Sequence, residues 1–163
     1  MTAHRLLEVL RERGLTLAVA EGDTGGLLLA ELTSVPGSST VVLGGVVAYH
    51  DDIKRQVLGV PSDLIERHGA VSAEAAVAMA RGVRQVCGAD VAVASTGIAG
   101  PGGATPAKPV GLAFVAAVDA VRCLVREYRW EGDRKTNRHA SVRAAIELAL
   151  ELVASIASER SER

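Results

Sequence analysis

Leu15-Thr-Leu-Ala-Val-Ala20 runs into Glu21-Gly-Asp-Thr-Gly-Gly26 and then into Leu27-Leu-Leu-Ala-Glu-Leu32. The first six residues are short, apolar and partly β-branched, the pattern of a strand buried on both faces. The glycine-rich stretch that ends it opens a helical segment, which the turn signal Ser34-Val-Pro-Gly-Ser-Ser39 stops. A strand that empties through a glycine loop into a helix is the repeating unit of an α/β sheet. It also places a loop beyond the carboxyl end of a strand, where such sheets bind ligands.

The neighbouring segments extend the pattern. Before the strand, Leu6, Leu7 and Leu10 recur at helical spacing opposite Arg5, Glu8 and Glu12, predicting a surface helix that ends near Gly14. After it, a β-rich run from Val41 to Tyr49 contains Gly44-Gly45, and glycines inside a strand mark a bulge or a close approach. Asp51 to Leu58 predicts a short helix. Ser72 is an N-cap for a longer one, whose buried face carries Ala76, Met79, Ala80, Val83 and Cys87, the last as a buried, inert thiol. Val91-Ala-Val-Ala94 is a further buried strand and empties into a long loop, Ser95 to Gly111. Two adjacent strands come next, Leu112 to Val118 and Val121 to Trp130, the second alternating in the manner of an edge strand. The last helix begins after Gly132-Asp133 with Val142, Ala145, Ile146, Ala149, Leu152, Val153 and Ile156 on one face. Helices between strands predict a three-layer α/β/α sandwich, and the two late strands make its sheet mixed though largely parallel.

Composition excludes several classes of function. The 163 residues suit one domain, and 18 Lys and Arg against 19 Asp and Glu leave a net charge of -1. No basic field for a phosphate backbone results, and four aromatic residues make no base-stacking platform, so nucleic-acid binding is not expected. No segment has the roughly 18 apolar residues of a membrane span, and the charged N-terminal helix is no signal peptide. Two cysteines without CxxC spacing need no disulfide framework, which makes a reducing cytoplasm the expected location. The four scattered histidines lack metal-ligand spacing, so no metal is expected.

Three glycine-rich segments accompany strands: Gly22 to Gly26, Gly44-Gly45 with the residues after it, and Gly97-Ile-Ala-Gly-Pro-Gly-Gly103. Convergence at the strand ends would make one pocket, and the helix opened by the first loop offers N–H groups to a phosphate or an oxyanion. Neither a GxGxxG fingerprint nor a GxxxxGK[ST] loop is present, and glycine loops alone read better as tight turns. Tyr49-His-Asp-Asp-Ile-Lys54 sets a phenol, two carboxylates and a lysine in one stretch. A desolvated lysine serves as a general base, while a solvated helix start with Asp51 and Asp52 complementing the dipole fits the same residues.

Taken in order, Leu17-Ala-Val-Ala-Glu21, Thr24-Gly-Gly26, Val35-Pro-Gly-Ser-Ser39, Gly44-Gly-Val-Val47 with Tyr49 and Lys54, and His68-Gly-Ala-Val-Ser72 form one series. Thr96-Gly-Ile-Ala-Gly-Pro-Gly-Gly103, Lys108-Pro-Val-Gly111 and Gly132-Asp-Arg134 with Arg138 complete it. The series covers nearly the whole chain and resembles the CinA C-terminal domain family. The resemblance implies a single domain over residues 1–158 with a frayed tail at 159–163. Its members act as nicotinamide-nucleotide amidases, converting nicotinamide mononucleotide and water to nicotinate mononucleotide and ammonia. Some carry a further N-terminal nucleotide-processing domain, which these 163 residues do not accommodate. A homodimer is plausible by the same resemblance, and no cofactor is implied.

The family's first loop reads AESCTGG, its serine being the nucleophile that a lysine, here Lys54, activates by accepting the hydroxyl proton. This chain has Ala20-Glu-Gly-Asp-Thr-Gly-Gly26, with Gly22 at the serine position and Asp23 at the cysteine. The acyl-enzyme route is closed at Gly22. Three readings remain: hydrolysis in which Asp23 or Lys54 activates water, or Thr24 or Ser39 replaces the nucleophile; a non-catalytic pyridine-nucleotide-binding or regulatory module; and a different substrate. The candidate catalytic set is Lys54 and Tyr49, which the resemblance implies, with Asp23 and Thr24, which this chain offers in place of the serine. Substrate would be held by Gly22, Gly25, Gly26, Ser39, Gly45, Thr96, Gly97, Gly100, Gly102 and Arg138, the arginine suiting a phosphate through its planar fork.

Overall fold

A computed structural model of the chain describes residues 2–161, with side chains through residue 155. It has the expected three layers around a mixed sheet. The elements run α1 (Thr2–Glu12), β1 (Leu17–Glu21), α2 (Leu27–Thr33), a 3-10 turn (Ser38–Thr40), β2 (Val42–Val47), α3 (Asp51–Gln56), α4 (Ser62–His68), α5 (Ala73–Cys87), β3 (Val91–Gly97), β4 (Leu112–Val118), β5 (Cys123–Arg129) and α6 (Arg134–Ser161). Strand order is β2-β1-β3-β4-β5. β1 is parallel to both β2 and β3, β4 is antiparallel to β3, and β5 is antiparallel to β4. All strands but β4 therefore point the same way, and β5 lies at the edge as its alternation predicts.

Strand periodicity divides the core in two. Leu17, Val19, Val91, Val93, Val115 and Ala117 face a layer built from α1, α2 and α6. Their neighbours Ala18, Ala20, Ala92, Ala94 and Ala116 face α5, which answers with Ala76, Met79, Ala80 and Val83. The short alanine side chains bring α5 close to the sheet. Gly82 on α5 allows a second close approach, since a Cβ there would overlap the carbonyl oxygen of Leu58.

Several details depart from the sequence expectation. α4 is absent from it; Pro61 stands at the N-cap of this helix. Cys87 is half-buried rather than buried, sitting on the last turn of α5 before the left-handed Gly88. Val142, Ala145, Ile146, Ala149, Leu152 and Val153 are buried as expected. The side chain of Ile156 lies outside the described residues. The helix backbone reaches Ser161, and Glu162 and Arg163 of the expected tail also lie outside the described residues.

Gly44-Gly45 serves strand pairing. The β1–β2 register shifts between Leu17 and Ala18, so β2 bulges at Leu43, and a Cβ on Gly45 would lie 2.6 Å from the Val19 carbonyl oxygen. Backbone leaves no room beside Gly82 either. Gly82→Ala is expected to lower the urea midpoint by the equivalent of about 2–3 kcal/mol with an unchanged m-value.

Candidate active site

β1, β2 and β3 share one carboxyl-terminal rim, where the segments leaving them enclose a cavity of about 270 Å³. β1 contributes Gly22 and Asp23. The segment leaving β2 contributes Tyr49, Asp51 and Lys54, and β3 contributes Thr96 and Gly97. The loop after β3 closes one side with Ala99, Gly100, Gly102 and Gly103, while Ala70 and Val71 come from the α4–α5 turn.

That long loop is held at several points. Ile98 and Gly111 are joined by a backbone hydrogen bond at its base, and the Asn137 amide donates to the Ala99 carbonyl at 3.1 Å. Lys108 Nζ reaches back to donate to the carbonyls of His68 and Val71, tying the loop to the α4–α5 turn. Thr96 Oγ1 donates to the Ala70 carbonyl at 2.7 Å. The cavity walls are thereby braced by groups from four parts of the chain.

The first loop owes its path to two charged groups. Glu21, 1% exposed, accepts hydrogen bonds from the N–H groups of Leu28 and Leu29 at 2.8 and 3.1 Å. The start of α2, an anion site by its sequence, is thus occupied by the protein's own carboxylate. Arg138 donates from Nε to the Asp23 carbonyl and from Nη2 to the Thr24 carbonyl, at 2.9 and 3.1 Å. A Cβ on Gly25, which has a φ of 59°, would sit 3.0 Å from that guanidinium. Arg138 therefore braces the loop and does not line the cavity.

Arg134, one helical turn earlier, does line it. Its guanidinium donates to the Gly100 carbonyl at 2.9 Å and to Tyr49 Oη at 3.0 Å, bridging two walls. It and Asp51 are the charged lining residues that sequence reasoning missed, although Gly132-Asp-Arg134 stood in the motif series and Asp51 in the Tyr49–Lys54 stretch. Other predicted residues fall elsewhere. Thr24 is fully buried with Oγ1 3.0 Å from Ser95 Oγ, and Gly26 is the left-handed N-cap of α2. Ser39 lies in the 3-10 turn before β2, at the opposite end of that strand from the cavity. Gly45 lies in the strand itself. The cavity collects Gly22, Asp23, Tyr49, Lys54, Thr96, Gly97, Gly100 and Gly102 from the predicted set and leaves out Thr24, Gly25, Gly26, Ser39, Gly45 and Arg138.

Asp51, half-buried, and Asp52, exposed, stand in the first turn of α3, as a solvated helix start expects, but Lys54 departs from it: it is 4% exposed, and its ammonium lies 3.3 Å from Asp51 Oδ1. Burial against the cavity wall covers the side chain despite its charged neighbours. Asp23 is 9% exposed, and its Oδ1 is buried without a hydrogen-bond partner. Burial raises its pKa to about 6, against the opposing effects of its own backbone N–H, Arg138 and Lys54; Glu21 adds to the rise. Gly97 makes the space for this carboxyl, since a Cβ there would lie 2.8 Å from Asp23 Oδ2. Among the described residues, no group of three or more His, Cys, Asp or Glu could hold a metal ion, and no helix is long and apolar enough to cross a membrane.

The cavity is half open, of mixed polar and apolar lining, and lies at the carboxyl ends of parallel strands, where α/β folds bind ligands. Residues 1–153 match the CinA C-terminal domain family, and the chain belongs to that family. It is 48% identical over 141 residues to a putative competence-damage inducible protein of Desulforudis audaxviator, covering 86% of this chain and 34% of that one. A CinA-like protein of Citrifermentans bemidjiense is 49% identical over 143 residues, with coverage of 88% and 34%. The chain spans about a third of the length of these curated relatives. Among solved structures, the competence/damage inducible protein CihA of Agrobacterium tumefaciens superposes with a TM-score of 0.90 at 41% identity, covering 93% of each chain. A CinA superfamily protein of Klebsiella pneumoniae gives a TM-score of 0.91 at 32% identity, covering 94% and 96%.

The Asp23 carboxyl binds its proton more tightly in the folded chain, about 6 against 3.8 for the ordinary group, so the native state holds more protons between those values. Stability therefore falls as pH rises from about 4 to about 6 and does not recover above. Asp23→Asn is expected to raise stability at pH 7.5 by up to about 3 kcal/mol, and by little at pH 4, in urea unfolding at the two pH values.

Proposed function

We propose that this chain binds a pyridine mononucleotide in the cavity and hydrolyses its carboxamide, releasing ammonia, with water in place of a serine as the attacking group. The observation that carries this reading is the placement of Gly22, Asp23 and Lys54 in one cavity. The resemblance places a nucleophilic serine at Gly22 and its activating lysine at Lys54. Glycine leaves that wall bare, and the hydroxyls proposed to replace the serine are badly placed for it: Thr24 faces Ser95 in the interior, and Ser39 lies at the other end of β2.

Asp23 supplies the missing base. Ionised above about pH 6, its carboxylate accepts a proton from water while the water oxygen bonds to the carboxamide carbon. Lys54 faces the developing oxyanion, whose charge its ammonium offsets. Collapse breaks the carbon–nitrogen bond, and the proton held by Asp23 passes to the leaving nitrogen, giving ammonia and the carboxylic acid, which then ionises by giving its proton to the ammonia. The localised phosphate charge finds Arg134 at the cavity wall, and Tyr49 is the aromatic residue available to the pyridine ring.

The bare wall also favours a second reading, a module that binds the mononucleotide without turnover, because loss of a nucleophile removes roughly 10⁴-fold or more of rate in triad enzymes. An ammonia-release assay with nicotinamide mononucleotide, paired with a binding titration, separates the two. The hydrolytic reading expects slow turnover that Asp23→Asn reduces by about 10²-fold or more and that Lys54→Ala abolishes. Gly22→Ser is accessible to the fold: its Cβ would lie 3.2 Å from the Ser95 carbonyl oxygen and 3.7 Å from Thr96 Oγ1, so only small adjustments are needed. It is expected to raise turnover by opening the covalent route. Binding without ammonia release by the unaltered chain selects the module, and turnover that survives both Asp23→Asn and Lys54→Ala rejects the hydrolytic assignment.

A further inference from the structure

The geometry points to Asp23 as the residue that makes this cavity select a neutral carboxamide over the corresponding carboxylate, so that the hydrolysis product is expelled by the group beside which it forms. The inference rests on the pyridine-mononucleotide reading and deepens it, since that reading concerns which ligand enters and this one which acyl state the cavity retains.

Four charged side chains line the cavity, and three of them are engaged with protein partners. Lys54 and Asp51 pair with each other, and Arg134 donates to the Gly100 carbonyl and to Tyr49 Oη. Asp23 Oδ1 is shut off from the cavity and has no donor, so no hydrogen bond to that oxygen offsets the charge that the carboxyl brings to the wall. The space the carboxyl occupies is kept open by the missing side chain of Gly97. Arg138 touches the backbone oxygens of residues 23 and 24, so it holds the loop without pairing the carboxyl. A carboxylate whose charge is incompletely offset tolerates a neutral carboxamide beside it and disfavours a ligand that brings a second carboxylate, because the two like charges would share a partly enclosed site.

Other charges around Asp23 do not cancel the effect. Glu21 from β1 adds negative charge, while Lys54 from α3 and Arg138 from α6 add positive charge. Asp51 partly offsets Lys54, Arg134 is engaged with Gly100 and Tyr49 and makes no ion pair with Asp23, and Gly97 on β3 brings no charge. The two mononucleotides share pyridinium, ribose and phosphate. Their affinity ratio therefore cancels the contributions of those groups, including the titration of the phosphate itself, and reports on the acyl end.

The test is a calorimetric titration of the full chain with nicotinamide mononucleotide and with nicotinate mononucleotide at pH 7.5 and pH 5, with ammonia followed so that only unhydrolysed ligand is counted. The expected result is a preference of about tenfold or more for the carboxamide at pH 7.5, shrinking at pH 5 as Asp23 takes up its proton. Asp23→Asn conserves volume and replaces charge by an amide that donates, and should abolish or invert the preference at both pH values. Asp23→Ala should abolish it without inversion. Equal affinities in the unaltered chain, or a preference that persists in both variants, overturn the inference while leaving the mononucleotide reading standing. Binding of neither mononucleotide overturns both.

Discussion

Glu21, buried at the end of β1, accepts the N–H groups of Leu28 and Leu29, and the path of the chain through residues 22–26 follows from that contact. A carboxylate out of water needs compensating donors, and the first turn of a helix supplies two N–H groups together with the positive end of its dipole. With the side chain of residue 21 reaching α2, the intervening loop must fold back over it. Gly25 and Gly26 take left-handed conformations to do so, and Arg138 fastens the outer carbonyls. Gly22 and Asp23 are left as the part of the loop that meets the cavity.

The layers on either side of the sheet serve the same rim differently. On the alanine face α5 approaches closely, and the α4–α5 turn before it delivers Ala70 and Val71 to the cavity wall. On the other face α6 packs its apolar stripe against larger side chains, and its first turns carry Arg134, Asn137 and Arg138 to three separate points of the rim. Scarcity of aromatics fits this division of labour. Tyr128 and Trp130 stack on each other with ring centroids 4.7 Å apart, Phe114 packs against the α5 side of the core, and Tyr49 is left to line the cavity.

The layered architecture is legible in the sequence because strand and helix periods, glycine breaks and the Ser72 cap are local signals. The site is legible only where chain order and strand direction suffice. Residues just after β1, β2 and β3 must lie on the shared rim once those strands are parallel, which places Gly22, Asp23, Tyr49, Lys54 and Thr96 together. Ser39 precedes its strand and so falls at the far end. Arg134 and Arg138 lie one turn apart on α6, and which of them faces the cavity depends on where the helix begins relative to the sheet, a relation no local pattern encodes. Gly44 and Gly45 share the composition of the cavity glycines, yet they answer to a bulge and to the Val19 carbonyl. Lys54 is buried by tertiary packing, against the expectation that two adjacent aspartates create.

Asp23 bears most directly on why this cavity has its present form. Its carboxyl is buried, has an oxygen without a donor, and holds its proton up to about pH 6, so at neutral pH its charge works against folding. The surrounding structure nevertheless accommodates it: Gly97 gives up a side chain for it, and Arg138 secures the backbone on which it stands. Local rules broken without a structural gain concentrate where a protein binds or transforms a ligand. Gly22 beside it does not need the left-handed region, and a Cβ there would press on the Ser95 carbonyl oxygen at 3.2 Å, a contact that a small shift of the neighbouring backbone relieves. On the proposed reading, a bare wall next to a reluctantly ionised carboxylate and a buried ammonium would hold water against a neutral carbonyl. A serine in the first position would instead put an oxygen of the protein there, leaving the carboxylate with less to do.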